Sequence, residues 1–145
     1  MLFRWPAWLM VLPLSIVAQQ ATLVRVSDAC RYFKGTNAPS TPATAWQQMA
    51  FDDSTWLTGV GGFSTDQYYD ENTVLADMPT RYLSVFFRKK FTLTDPQAMK
   101  WLTLRIDYDD GFLAYLNGTE VARRGFASGA AVSFDTPAAL LGRTW

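Results

Sequence analysis

The sequence predicts an all-β fold, a sandwich or barrel of short antiparallel strands. Apolar and polar residues alternate in short runs from Leu23 onward. Turn pairs such as Asp110-Gly111 and Asn117-Gly118 separate those runs. No helical period persists beyond about two turns, and no repeat appears. At 145 residues the chain has the length of one domain, and its 49% apolar and 18% charged composition is that of a packed body.

Residues 1–18 carry a single early charge at Arg4, then the apolar stretch from Trp5 to Ala18. This stretch is short for a bilayer and is interrupted by Pro6 and Pro13, so it reads as a cleaved secretory signal, with an uncleaved anchor as the alternative. Residues 19–145 are then the mature domain, secreted or at the cell surface and free of the membrane after cleavage. Cys30 stands alone and predicts a small buried hydrophobe, with no staple within the chain.

The first strand is expected over "TLVRVS", Thr22–Ser27, and the second over "CRYFKGT", ending at Gly35. The proline-broken Asn37–Thr44 is a loop. "AWQQMAFDDSTWLTGVGGF" contributes Trp46, Phe51 and Trp56, and Asp52-Asp53-Ser54 is expected to open a helical turn by capping free amides. Gly59, Gly61 and Gly62 permit a tight path into the long polar loop "STDQYYDENTVLADMPT".

"RYLSVFFRKKFTLT", Arg81–Thr94, is the next strand, broken near Arg88, with Leu83, Val85, Phe87, Phe91 and Leu93 on one parity. "DPQAMK" turns the chain. In "WLTLRIDY" the alternation is clean. Leu102, Leu104, Ile106 and Tyr108 share one face, and Thr103, Arg105 and Asp107 share the other, which predicts a half-buried strand. "FLAYL" and "TEVAR" then form a hairpin about Asn117-Gly118, because both turn positions favour positive φ.

Charge excludes some partners. Lys plus Arg equals Asp plus Glu at 13 each, so nothing draws the chain generally to nucleic acid or anionic lipid. With no histidine, the usual general base and zinc ligand are missing.

The run "FDDSTW", then "RYLSVFFRKKFTL", then "LTLRIDYDDGFLAYLNGTEVAR" resembles galactose-binding-domain-like jelly rolls. Such modules accompany lamin-tail or CotH-type domains in large secreted bacterial proteins. The same order of segments is similar to the sugar-binding domain of β-galactosidase-type hydrolases. The likeness covers Tyr32 to Arg124. It implies a jelly-roll β-sandwich and a non-catalytic carbohydrate-binding or adhesion-type module, with a polysaccharide or glycan and neighbouring domains as partners. Such modules usually finish with a further strand pair, whereas "SFDTPAALLGRTW" does not match one. The domain is therefore expected to lack its last strands, as a fragment, a truncated reading frame or a domain with an exposed sheet edge.

Candidate ligand-binding residues are Trp46, Tyr68, Tyr69, Asp109 and Asp110. Aromatic faces suit the C–H side of a pyranose, and carboxylates take hydroxyls. Trp56 beside the acidic turn is expected in the core instead. Asp109-Asp110 before Gly111 reads first as bend chemistry, with a sugar or calcium contact as the functional alternative. Asp66, Asp70 and Asn72, with Glu71 between them, are oxygen donors for a calcium ion, although their spacing is not that of an EF-hand. No other cofactor is expected. Asn117-Gly118-Thr119 matches a glycosylation acceptor but reads as the hairpin turn. Two further readings remain open: a ligand-free structural spacer of a larger secreted protein, and a glycoside hydrolase fragment using Asp107, Asp109 and Asp110.

Overall fold

A computed structural model describes residues 21–66 and 72–139. In chain order it contains β1 (Ala29–Lys34), β2 (Leu57–Val60), β3 (Phe63–Ser64), β4 (Thr73–Val74), the single-turn helix α1 (Met78–Arg81), β5 (Val85–Arg88), β6 (Phe112–Leu116) and β7 (Thr119–Arg124). Two 3-10 turns, Ala45–Gln47 and Pro96–Ala98, complete the regular structure. The fold is all-β, with strands in three sheets: β2-β1-β5, β3-β4 and the β6-β7 hairpin.

The central sheet is antiparallel on both sides of β1, with Tyr32 opposite Phe87 and Phe33 opposite Phe86. Strand residues alternate in direction, so these pairs lie on opposite faces. On one face Phe33 and Phe86 meet a cap from residues 45–56. Trp56 lies 5.5 Å from Phe33, Trp46 lies 5.1 Å from Phe86, and Phe51 lies 5.7 Å from Trp56. On the other face Phe63 packs edge-on against Tyr32 at 5.2 Å and Phe87 at 4.6 Å. Among the described residues the buried apolar set is Tyr32, Trp56, Leu75 and Tyr82. The core is thus an aromatic one, centred on β1.

Several expected elements form as read. "CRYFKGT" gives β1, and just beyond it the Gly35 amide donates to the Ser84 carbonyl at 2.9 Å, an approach so close that a Cβ on Gly35 would stand 2.7 Å from that oxygen. Asp95 accepts from the amides of Gln97 and Ala98 and so starts the turn at Pro96. Asn117 (φ 50°) and Gly118 (φ 86°) occupy the two positive-φ positions between β6 and β7. One extra residue on β7 shifts the register between Ala114 and Tyr115, a bulge that leaves Val121 exposed.

Four expectations need correction. The opening strand over Thr22–Ser27 is absent, because Asp28 and Arg25 close a turn there: the Asp28 amide donates to the Arg25 carbonyl at 3.0 Å, and the Arg25 amide to the Asp28 carboxylate at 2.9 Å. Asp52-Asp53-Ser54 makes a turn and no helix, although Asp52 does accept from the Ser54 amide at 2.9 Å. In the Arg81–Thr94 run only Val85–Arg88 pairs, and Phe86 packs on Trp46 while Leu83 and Phe87 are exposed, against the expected parity.

The largest correction concerns Leu102–Tyr108. These residues join no ladder, and Leu102, Leu104, Ile106 and Tyr108 are 50%, 54%, 46% and 41% exposed. Alternation decides which side chains share a face. It does not supply the neighbouring strand that would cover them.

Candidate functional site

A shallow depression of about 310 Å³ opens at one end of the central sheet. β1 supplies Tyr32, Phe33 and Lys34, the turn into β2 supplies Thr55, Trp56 and Leu57, and the α1 region supplies Asp77 and Arg81. The sequence folds this way locally because Pro79 suits the first turn of a helix and Tyr82 returns at once to extended backbone. That single turn carries Asp77 and Tyr82 to the edge of β1.

Lys34 Nζ reaches both carboxylate oxygens of Asp77, at 2.8 and 2.9 Å, and the Tyr82 hydroxyl donates to Asp77 Oδ1 at 2.9 Å. The ammonium also lies 5.8 Å from the centre of the Tyr82 ring. Hydrogen bonds from Lys34 and then from Tyr82 hold the Asp77 carboxyl below the usual carboxylate range. Burial first, and the bond to Asp77 second, push the Tyr82 phenol well above its ordinary value. The result is a fixed polar rim over a floor of buried aromatic rings, with the Leu57 side chain exposed beside it.

A second depression, about 350 Å³, is lined by Ala29, Cys30, Arg31, Asp53, Thr58, Arg88, Lys89 and Lys90. Arg31, Arg88 and Lys89 already have partners within the fold. Arg31 donates to the Trp56 carbonyl and the Thr58 hydroxyl, Lys89 donates to the Ala29 carbonyl, and Arg88 pairs with Asp53 at 2.8 Å. Cys30 is half-buried, and that burial raises its thiol pKa against the opposing pull of Lys89. A thiol so placed is a poor nucleophile at neutral pH.

Of the residues expected to bind ligand, Trp46, Asp109 and Asp110 line neither depression. The Trp46 ring is already stacked, 5.1 Å from Phe86, 5.6 Å from Tyr115 and 6.3 Å from Trp56. It ties the hairpin to the central sheet. Asp109 and Asp110 are exposed at the bend before β6, with Asp110 at φ 67°. Tyr68, Tyr69, Asp70 and Glu71 lie outside the described residues. Of the calcium candidates, Asn72 spends its amide on the Gly61 carbonyl at 2.7 Å, and Asp66 is bonded to Ser64 through its own backbone and side chain. Among the described residues no three acidic, cysteine or histidine side chains gather as a metal site.

Sequence reasoning did not find Lys34, Asp77, Tyr82 and Arg81. Lys34 and Asp77 are 43 positions apart, and no spacing rule links a strand residue to a one-turn helix. Neither family models, nor curated proteins, nor solved structures gave a match to this chain.

Proposed function

We propose that this chain is a non-catalytic, extracellular module of the carbohydrate-binding or adhesion type, built on a galactose-binding-domain-like jelly roll. The observation that carries the reading is the open depression at Tyr32, Trp56 and Leu57, rimmed by Lys34, Thr55, Asp77 and Arg81. A pyranose offers an apolar C–H face and a ring of hydroxyls; the exposed Leu57 side chain suits the first, and the donors and acceptors of the rim suit the second. Binding at such an open surface is weak and gains strength from repeated contacts along a polymer. A non-catalytic role is supported by the lack of histidine and by the bend geometry of Asp109-Asp110.

Glycan-array binding, with and without calcium, tests the proposal. Arg81→Ala and Thr55→Ala, both at exposed positions, are expected to weaken binding by roughly tenfold while leaving the thermal transition unchanged. Failure of the unaltered chain to bind any polysaccharide under either condition sinks it. A calcium requirement would direct attention to Asp66, Asp70 and Asn72. A structural spacer is the second reading, favoured by the exposed apolar row at Leu102–Tyr108, which suits packing against another folded surface.

A further inference from the structure

We propose that residues 104–108 form a contact between two copies of this chain, as an antiparallel strand pair centred on Ile106. Three observations support this independently of any glycan. First, the segment's three apolar side chains, Leu104, Ile106 and Tyr108, share one parity, and all are more than 40% exposed. Second, residues 100–108 form no backbone hydrogen bond among the described residues, so a row of amide and carbonyl groups is open to a new ladder. Third, the segment is complementary to itself.

The third observation chooses both the occupant and the register. Centred on Ile106, the pair sets Leu104 against Tyr108 of the second copy and Arg105 against Asp107 of the second copy, with Ile106 facing its own counterpart. The two-fold symmetry repeats each contact. Centring on Arg105 would oppose two guanidiniums, and centring on Asp107 would oppose two carboxylates. A parallel in-register pair would do both. Only the Ile106-centred register joins like apolar residues and unlike charges at once, which is the condition for a stable cross-strand face. Tyr108 is held at one end of the row by its edge-on contact with Phe112 of β6, at 4.8 Å, so the pairing would extend from an element already in place.

Cross-linking of the full chain tests the register. In a Cys30→Ala background, Ile106→Cys should oxidise to a disulfide-linked dimer, since facing residues lie about 4.5–5.5 Å apart at Cα. Arg105→Cys, one position off the axis, should cross-link far more slowly, because its counterpart sits on a diagonal roughly 7–8 Å away or more. Sedimentation velocity tests the charges. Arg105→Asp and Asp107→Arg should each weaken the dimer, roughly tenfold, and the double exchange should restore it. Far-UV circular dichroism confirms that each variant is folded. A chain that stays monomeric across a dilution series overturns the proposal. So does equal cross-linking at both positions, or a double exchange no better than the single ones.

Discussion

The Lys34–Asp77–Tyr82 group makes the stability of the chain depend on pH at both extremes. Asp77 has a depressed pKa in the fold, so its contribution is complete above the ordinary carboxylate range and is lost as pH falls through the folded value. Tyr82 has a raised pKa, so its contribution is complete below about pH 10, the ordinary phenol value, and declines as pH rises above it. Two losses are therefore expected in the denaturation midpoint, one below about pH 4 and one above about pH 10. Tyr82→Phe should flatten the alkaline loss and keep most of the acid one. Asp77→Asn should remove the acid loss that this group causes. Chemical denaturation measured from acid to alkaline pH checks both, and an unchanged alkaline limb in Tyr82→Phe would refute the assignment.

Among the elements, the β6-β7 hairpin is fixed most locally. Gly118 holds φ 86°, and a Cβ there would stand 2.6 Å from the tip of Gln48. Gly118→Ala is expected to cost about 1–2 kcal/mol, mostly from backbone strain because the Gln48 side chain can swing aside. Urea denaturation gives that figure, and an effect below about 0.3 kcal/mol would mean that the turn relaxes freely. This hairpin was legible in the sequence because its determinants, Asn117 and Gly118, are neighbours. β1 was legible for a similar reason, through "CRYFK" and the glycine after it. Leu102–Tyr108 shows the opposite case. Its pattern is as regular as any in the chain, yet burial depends on a surface that must come from elsewhere. The depression beside β1 was equally hidden, because Lys34, Trp56 and Asp77 meet only after the sheet has formed.

Across the whole molecule, Arg88 connects what the strands alone leave separate. Its side chain is 9% exposed and pairs with Asp53, whose side chain is 15% exposed. Its guanidinium also donates to the carbonyl oxygens of Trp46, Gln48 and Phe51, and lies 5.2 Å from the Phe51 ring centre. One side chain thus pins the cap over the aromatic face of the central sheet. Arg88→Ala would take the guanidinium from Asp53 and from the Trp46 and Phe51 carbonyls, while the Gln48 carbonyl keeps the Phe51 amide, at an expected cost of about 3–4 kcal/mol. Arg88→Lys should recover little, since an ammonium cannot span a fork of that shape. Equilibrium denaturation and near-ultraviolet circular dichroism of the tryptophans would report both changes, and a cost below about 1 kcal/mol would show that the cap holds without it.

The same residue imposes an order of events during synthesis. Trp46, Gln48 and Asp53 leave the ribosome 42, 40 and 35 positions ahead of Arg88. Until that arginine emerges, the tryptophan-bearing lid is held from β1 alone, and the Trp46 ring lacks its partners on β5 and β6. A nascent chain halted in this interval would be greasy, unfinished and in need of shelter, and emergence of β5 and then of Tyr115 on β6 would end that vulnerable period.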